Sequence, residues 1–263
     1  MATLPIYQVD AFASEVFKGN PAAVCPLKQW LPDEAMQQIA MENNLAETAF
    51  VAPEGNDFYI RWFTPTVEVD LCGHATLASA FVYFNVLGYN KPVIRFNSKS
   101  GWLEVSKQKN GKFTLNFPKD EYKAVAEPPH AIFEGLKIQP AIVVRGRFDY
   151  LVELNNQQQV EMLDPDFRIL STIPSRGVVA TAAGNDADFV SRCFFPQSGI
   201  DEDPVTGSAH CLLTAYWHEK TGKNIFSAIQ LSKRKGWLDC ELKGDRVLMS
   251  GHAVLYLKGE IEI

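Results

Sequence analysis

The feature that most constrains the fold is a set of three sequence words that recur, in the same order, in two parts of the chain. Residues 57–65 read DFYIRWFTP and residues 188–196 read DFVSRCFFP. The words GHATLASA, from residue 73, and GSAHCLLTA, from residue 207, follow them, and then GWLEV at 101–105 and GWLDC at 236–240. Chance recurrence of short apolar words could give one such match, but three in the same order at nearly the same offset are better explained by duplication. A period this long is far beyond that of a solenoid, so the pattern predicts two copies of one half-domain.

Each copy has the same predicted order: a β-rich opening, a strand, a loop, an apolar helix and further strands. The helices are predicted over His74–Leu87 and Ser208–Lys220, ending at Gly88 and Gly222, because glycine is common at helix C-termini. A helix among many strands in each copy indicates an α+β fold. The strands are predicted over Ile6–Phe12, Phe58–Phe63, Val93–Phe96, Leu103–Val105, Phe113–Phe117, Phe189–Phe195, Ile229–Leu231, Leu238–Leu242 and Val247–Ser250, with a second β-rich opening at 141–154.

The two half-domains are predicted over residues 1–118 and 119–263, because the stretch 118–129 is polar and proline-bearing. The last strand of the second half is free to cross to the first. With 263 residues, 46% of them hydrophobic, the chain is long enough for a sizeable core.

Composition excludes several classes of function. The net charge of -6 does not suggest a nucleic-acid partner. The start of the sequence does not read as a secretory signal, and no apolar run is long enough for a membrane span. The five cysteines are odd in number and include no CxxC pair, so neither a disulfide framework nor a zinc site is expected. These features together predict a cytoplasmic protein without a membrane partner.

The two helix starts, Gly73–His74 and Gly207–Ser208, are equivalent loops of the duplicated fold, and we expect them to face one cleft between the halves. A helix N-terminus presents free backbone N–H groups and a partial positive charge. Glycine lets the backbone approach a ligand closely. The pattern therefore predicts a carboxylate-binding site that needs no lysine or arginine.

Several polar residues in these loops have a structural reading beside the functional one. Asp203 is equally a turn residue next to Pro204, and Ser208 is equally a helix cap. His74 is equally a structural histidine, and Asn20, in the Gly-Asn-Pro word, is either part of a turn or a ligand contact. Position in the matched loops favours the functional reading for the first three.

Glu47 is the candidate proton carrier. It lies between helix-like LPDEAMQQIAME and strand-like TAFVAP, where a carboxylate can be partly desolvated and so suited to proton transfer. The matching stretch in the second copy, RGVVATAAG at 176–184, has no acid. This asymmetry favours one proton carrier over two symmetric bases, although an ordinary surface acid remains the alternative.

Four words of the sequence closely resemble the PhzF-like, phenazine biosynthesis-like isomerase family: KGNPAAV at 18–24, NLAETAFV at 44–51, RWFTPTVEVDLCGHATLASA at 61–80 and EDPVTGSAH at 202–210. The resemblance covers nearly the whole chain. It implies a diaminopimelate-epimerase-like fold of two similar halves, each a barrel-like sheet around a central helix, with the active site between them. It also implies isomerisation without a cofactor, and a homodimer.

By motif position, the family's proton-moving glutamate corresponds to Glu47. Its other motifs carry over to Gly73, His74, Asp203, Gly207 and Ser208. Two positions depart from the pattern: Ala46 stands where the family often has serine, and Cys72 precedes the helix. Related epimerases use two thiol bases, but the second copy has no matching cysteine, so a two-thiol mechanism is not favoured.

The sequence thus predicts an isomerase that moves a proton between carbons of a small carboxylate-bearing metabolite. Glu47 acts as general acid and base, with His74 and Asp203 as its catalytic partners. The predicted substrate-binding residues are Asn20, Gly73, Gly207 and Ser208. Two alternatives stay open: an amino-acid racemase or epimerase, with Asp203 as the second base, and a non-catalytic binding or scaffold protein on the same fold.

Overall fold

The computed structural model describes residues 3–139 and 141–263. The chain divides into two compact units. The first comprises the chain up to Asn116 together with Ser250–Ile263, and the second comprises Phe117–Met249. Among the described residues, no helix is long and apolar enough to cross a membrane.

Strands dominate both parts of the chain. The first eight strands are β1 (Thr3–Ala11), β2 (Asn20–Pro26), β3 (Glu47–Glu54), β4 (Asp57–Phe63), β5 (Glu68–Val69), β6 (Val93–Asn97), β7 (Leu103–Lys107) and β8 (Phe113–Pro118). The others are β9 (Lys123–Ala124), β10 (Ile142–Arg145), β11 (Asp149–Glu153), β12 (Gly177–Ala183), β13 (Phe189–Phe195), β14 (Ile200–Asp203), β15 (Ile225–Gln230), β16 (Gly236–Lys243), β17 (Arg246–Gly251) and β18 (Ala253–Glu262). The helices are α1 (Asp33–Asn43), α2 (Gly73–Asn85), α3 (His130–Leu136), α4 (Gln157–Glu161), α5 (Phe167–Leu170) and α6 (Gly207–Thr221), with a short 3₁₀ turn at Pro196–Ser198.

The strand pairings repeat in the two units. In the first, β1–β2 is antiparallel, β2–β3 parallel, β3–β4 antiparallel, β4–β6 parallel and β6–β7 antiparallel. In the second, β10–β11, β11–β12, β12–β13, β13–β15 and β15–β16 follow the same alternation. A shared order of parallel and antiparallel pairs is what duplication of a half-domain predicts. The predicted α+β fold of two similar halves is therefore confirmed.

The longest helix of each unit is enclosed by that unit's strands. Every residue of α2 from His74 to Phe84 is buried, and the helix packs against β1, β2 and β3. Most of α6 is likewise buried, from Ala209 to Trp217. A helix that is apolar on all sides must be covered on all sides, which is why neither GHATLASA nor GSAHCLLTA shows a polar face.

Boundaries differ from the predicted ones in a few places. The helix α2 ends at Asn85 and not at Gly88, which lies beyond it with φ +75. Gly222 does end α6, in the left-handed conformation, and its N–H binds the carbonyl of His218. The short helices α3, α4 and α5 were not predicted from the sequence. Nor was the length of β18, which pairs with β1 along its whole span.

Candidate active site

Glu47 and His74 form a close pair in the first unit. Oε2 of Glu47 lies 3.2 Å from Nε2 of His74, and the two side chains are 13% and 6% exposed. The pair is not aligned as a hydrogen bond, and neither atom has another hydrogen-bond partner among the described residues. Buried polar atoms normally have partners, and catalytic groups often align only when substrate binds. In this arrangement both facing atoms are buried and leave hydrogen-bonding capacity unused.

The opposite side of the His74 ring contacts Asn20 and Cys72. Nδ1 lies 3.2 Å from Nδ2 of Asn20 and 3.5 Å from Sγ of Cys72. An amide NH₂ group only donates, so in this orientation Nδ1 accepts and the proton of a neutral His74 ring lies on Nε2, towards Glu47. Rotation of the Asn20 amide would present its oxygen instead, which suits a doubly protonated ring. Asn20 can therefore support both charge states of His74.

Burial and neighbouring groups act on His74 in opposite directions. Burial lowers the pKa of His74, but proximity to Cys72 and Glu47 outweighs burial and holds that pKa well above its ordinary value. Burial, reinforced by the charge of Glu47, raises the pKa of Cys72 to about 11. Cys72 is thus a thiol at neutral pH, and the carboxylate of Glu47 is the group that keeps a proton on His74.

Glu47, Cys72 and His74 also carry donor atoms of the types found at zinc sites, all within 4.8 Å of one another. The two ring nitrogens of His74 face different partners, however, Nε2 facing Glu47 and Nδ1 facing Cys72. As oriented, the ring of His74 lies between the carboxylate and the thiol, an arrangement that suits proton transfer through the ring.

A tight turn and a strand end hold these side chains in place. Glu47 is the first residue of β3, and Asn20, fully buried, is the first residue of β2, which runs parallel to β3. Gly19, just before Asn20, has φ +65, and a Cβ there would lie 2.1 Å from the carbonyl oxygen of Ala11. Only glycine fits this position. The turn predicted around Gly19 is therefore what brings Asn20 to the ring of His74.

Asp203, in the second unit, is bonded within its own loop and is 8% exposed. Thr206 donates its hydroxyl to Oδ2 of Asp203. Nε2 of Gln230 donates to the backbone oxygen of Asp203 at 2.6 Å, and its Oε1 accepts the N–H of Thr206 at 2.8 Å. These bonds fix the residue that precedes Gly207, where α6 begins. The turn role considered for Asp203 is present, and its catalytic role stays a prediction.

Ser208 is held by a residue that the sequence analysis overlooked. Its hydroxyl oxygen accepts a hydrogen bond of 2.9 Å from Nη1 of Arg176. Arg176 also donates from Nε and Nη2 to the two carboxylate oxygens of Asp149, which is 1% exposed. Thr206, not Ser208, occupies the cap position of α6, so Ser208 is not a cap. The signal that could have found Arg176 is its position in RGVVATAAG, next to the counterpart of Glu47.

Gly177 is that counterpart. It begins β12 and pairs with β11 in parallel, as Glu47 begins β3 and pairs with β2. A Cβ at Gly177 would lie 2.1 Å from Cδ1 of Phe195 and 2.4 Å from the backbone oxygen of Phe194. No side chain fits there without displacing a strand, which accounts for the acid missing from the second copy.

The structure thus brings together four of the predicted residues in the first unit, Asn20, Glu47, Gly73 and His74. In the second unit Asp203, Gly207 and Ser208 lie along one loop and the start of α6. The first group has the chemistry of an acid–base relay. The second group has hydroxyl and backbone donors but no unbonded base.

Comparison with known proteins agrees with this description. The family model described as phenazine biosynthesis-like protein matches residues 9–259. An uncharacterized isomerase of Halalkalibacterium halodurans is 48% identical over 266 residues, which cover 99% of each chain. A PhzF-family phenazine biosynthesis protein of Enterococcus faecalis superposes with a TM-score of 0.96 at 45% identity, covering 100% of both chains.

A hydroxyproline epimerase from Agrobacterium vitis shares the fold alone, with a TM-score of 0.63 at 9% identity over 98% of this chain and 92% of that one. The predicted epimerase-like fold and the predicted isomerase class are confirmed by these comparisons. The identity, the coverage and the residue-by-residue motifs together lead to one conclusion: the chain belongs to the PhzF-like family of phenazine biosynthesis-like proteins.

Proposed function

We propose that this protein is an isomerase that needs no cofactor and that moves a proton between carbon atoms of a small carboxylate-bearing metabolite, with Glu47 as general acid and base. The observation that carries the proposal is the Glu47–His74 pair: a partly buried carboxylate and a buried imidazole, 3.2 Å apart, whose facing atoms make no hydrogen bond. A proton carrier must reach the substrate. The side chain of Glu47 keeps 13% of its surface exposed.

The reaction needs neither an oxidant nor a second substrate. The carboxylate of Glu47 takes a proton from a carbon of the substrate, and the electron pair of the broken C–H bond enters a new double bond. An adjacent double bond shifts, and the proton held by the Glu47 carboxyl, which can exchange with solvent during the cycle, is delivered to form a new C–H bond at another carbon. Glu47 ends as the carboxylate, so the cycle is balanced.

His74 supplies positive charge beside this proton transfer. Its pKa is raised above the ordinary value despite burial, and with Cys72 a neutral thiol the carboxylate of Glu47 is the charge that favours the protonated ring. That charge stabilises the negative charge that develops on the substrate as its proton leaves. Asn20 keeps the ring oriented through Nδ1.

The proposal gives the second-unit residues a binding role. Ser208 and the backbone at Gly207 bind the substrate's carboxylate, and Gly73 stays a predicted substrate-binding residue of the first unit. Asp203 positions the loop before α6, a role supported by its bonds to Thr206 and Gln230. A homodimer remains part of the proposal, on the resemblance alone.

A racemase with two opposed bases is less well supported. Its second base cannot lie at Gly177, where no side chain fits. Asp203 accepts a hydroxyl hydrogen bond from Thr206. Cys72, with its pKa raised to about 11, is not a thiolate at neutral pH.

Deuterium exchange tests the proposal directly. The protein is incubated in heavy water with a panel of small cyclic and amino carboxylic acids, and deuterium at carbon is read by mass spectrometry. Glu47→Gln keeps the shape of the side chain and removes the base, so exchange should fall at least ~100-fold. Glu54→Gln is the matched control, because Glu54 ends the same strand and is exposed.

Exchange that is lost in Glu47→Gln and kept in Glu54→Gln supports the proposal. Exchange that persists in Glu47→Gln contradicts the assignment of the base. Inversion of a free amino acid at its α-carbon would favour the racemase. A compound that raises the melting temperature without exchanging would favour the non-catalytic alternative.

A further inference from the structure

The hydrogen bond from Arg176 determines the direction in which the Ser208 hydroxyl can donate. Nη1 of Arg176 donates to Oγ of Ser208 at 2.9 Å, and a guanidinium accepts no hydrogen bond. The hydroxyl proton of Ser208 must therefore point elsewhere. No described residue accepts it, and Ser208 is partly exposed. A serine fixed as an acceptor on one side is a donor on the other.

Arg176 is itself held rigidly. Nε and Nη2 donate to the two oxygens of Asp149, which is buried at 1% exposure, while Arg176 is 33% exposed. The guanidinium also lies over the rings of Phe148 and Phe195, at 5.4 and 5.2 Å from their centroids. Each terminal nitrogen of Arg176 keeps one N–H for which the described residues offer no acceptor. A guanidinium anchored in this way loses little conformational entropy when it orients the hydroxyl of Ser208.

Arg176 and Ser208 lie at positions of the second unit that correspond to the Glu47 and His74 region of the first. Arg176 immediately precedes Gly177, the counterpart of Glu47, and Ser208 is the second residue of its helix, as His74 is in α2. In the second unit a glycine thus stands where the first has Glu47, a serine stands where it has His74, and an arginine precedes the glycine. The charge of Arg176 is largely offset by Asp149, so what the pair offers is oriented donors rather than net positive charge.

We propose that Arg176 is a positioning residue that fixes the hydroxyl of Ser208 as a hydrogen-bond donor to the carboxylate of the ligand. The inference rests on the proposed function for the identity of that carboxylate, and it extends it by naming the residue that orients the donor. The ligand's carboxylate accepts from the hydroxyl of Ser208, which Arg176 orients.

The test compares benzoate with its neutral isostere benzamide, by ligand-observed NMR titration of the full chain. The wild type should bind benzoate at least about tenfold more tightly than benzamide, the usual value of one charge-assisted hydrogen bond. Arg176→Lys keeps the charge beside Asp149 but loses the guanidinium, so most of that preference should disappear. Ser208→Ala should lose as much.

A double-mutant cycle separates positioning from general stability. If Arg176 acts through Ser208, the combined variant should lose no more preference for benzoate than either single variant. Arg192→Lys is the matched control, because Arg192 also grips a carboxylate, that of Glu202, through Nε and Nη2. It should leave the preference unchanged. Should Arg176→Lys fail to fold, Asp149→Asn with Arg176→Gln removes the pair without leaving a buried charge alone.

A wild type without preference for benzoate, an unchanged preference in Arg176→Lys, or additive losses in the cycle would each overturn the inference. These outcomes are separate from the proton-exchange test, because Glu47→Gln should keep the benzoate preference. Loss of exchange in Glu47→Gln, together with non-additive losses of benzoate preference in the Arg176/Ser208 cycle, supports both proposals. Additive losses in the cycle, with exchange still dependent on Glu47, contradict only the role of Arg176.

Discussion

Substitution of Gly177 by alanine tests whether the second unit is barred from carrying an acid where the first carries Glu47. The added Cβ would lie 2.1 Å from Cδ1 of Phe195 and 2.4 Å from the backbone oxygen of Phe194. Ordinary contacts begin near 3.4 Å, so the ring and a paired strand must both move. Phe194 is fully buried and pairs with Val178 in the β12–β13 ladder.

The expected cost follows from these two contacts. An added methyl group that forces buried side chains from their positions costs about 1–3 kcal/mol. Here a backbone oxygen is displaced as well as a ring, so we expect Gly177→Ala to lower the free energy of unfolding by about 3 kcal/mol or more. Against a total stability of ~5–15 kcal/mol, such a loss is readily measured.

Gly259→Ala is the matched control. Gly259 also lies in a strand, but a Cβ there would have its nearest neighbour, Cδ2 of Leu257, at 3.7 Å. Alanine should be neutral or stabilising there, by up to ~1 kcal/mol, because it reduces the entropy of the unfolded chain. Urea denaturation is followed by circular dichroism and by tryptophan fluorescence, with Trp217 and Trp237 as reporters in the second unit.

A change below ~0.5 kcal/mol in Gly177→Ala, with Gly259→Ala unchanged, would show that Phe195 and its strand yield without cost. The steric reason for the missing acid would then be wrong. The symmetric two-base mechanism would again have a place for its second base.

Two further predictions concern pH and assembly. Burial lowers the pKa of His210 from 6.5 to about 4, so between these pH values the unfolded chain binds a proton at His210 and the folded chain does not. The free energy of unfolding should therefore fall by about 3 kcal/mol as the pH drops from 6.5 to 4. In His210→Gln the urea midpoint should depend less on pH over this range, and an unchanged dependence would contradict this prediction. The full chain should form a homodimer at micromolar concentration, as the resemblance implies, and light scattering that gives the mass of one chain would refute this.

The sequence revealed the framework of the fold because its repeated words lie on the elements that bury most surface. Both central helices and the strand Phe189–Phe195 were predicted within two residues of their ends. The short helices α3, α4 and α5 were not found, since a helix of one or two turns has no apolar periodicity to read. The extent of β18 was missed because it is paired with β1, at the other end of the chain.

The site was predicted in its residue types and not in its geometry. The motifs pointed to Glu47 and His74, but nothing local shows that Nε2 faces the carboxylate or that Asn20 faces Nδ1. Arg176 was missed for a related reason. Its partner Asp149 is far from it in sequence. The stretch that contains Arg176 was compared with the Glu47 stretch only for the presence of an acid, and it has none.

The two units carry different side chains at equivalent positions of one duplicated framework. Under the proposed function, Glu47 is the proton carrier, and its Oε2 is shielded from water and makes no hydrogen bond next to His74. A donor site needs the opposite, a hydroxyl with its acceptor side already occupied, and Arg176 provides that for Ser208. At the counterpart of Glu47 the ring of Phe195 leaves room only for glycine, and that same ring packs against the guanidinium of Arg176. The feature that excludes a second acid therefore also holds the arginine in place, so restoring the acid would cost the second unit its oriented donor.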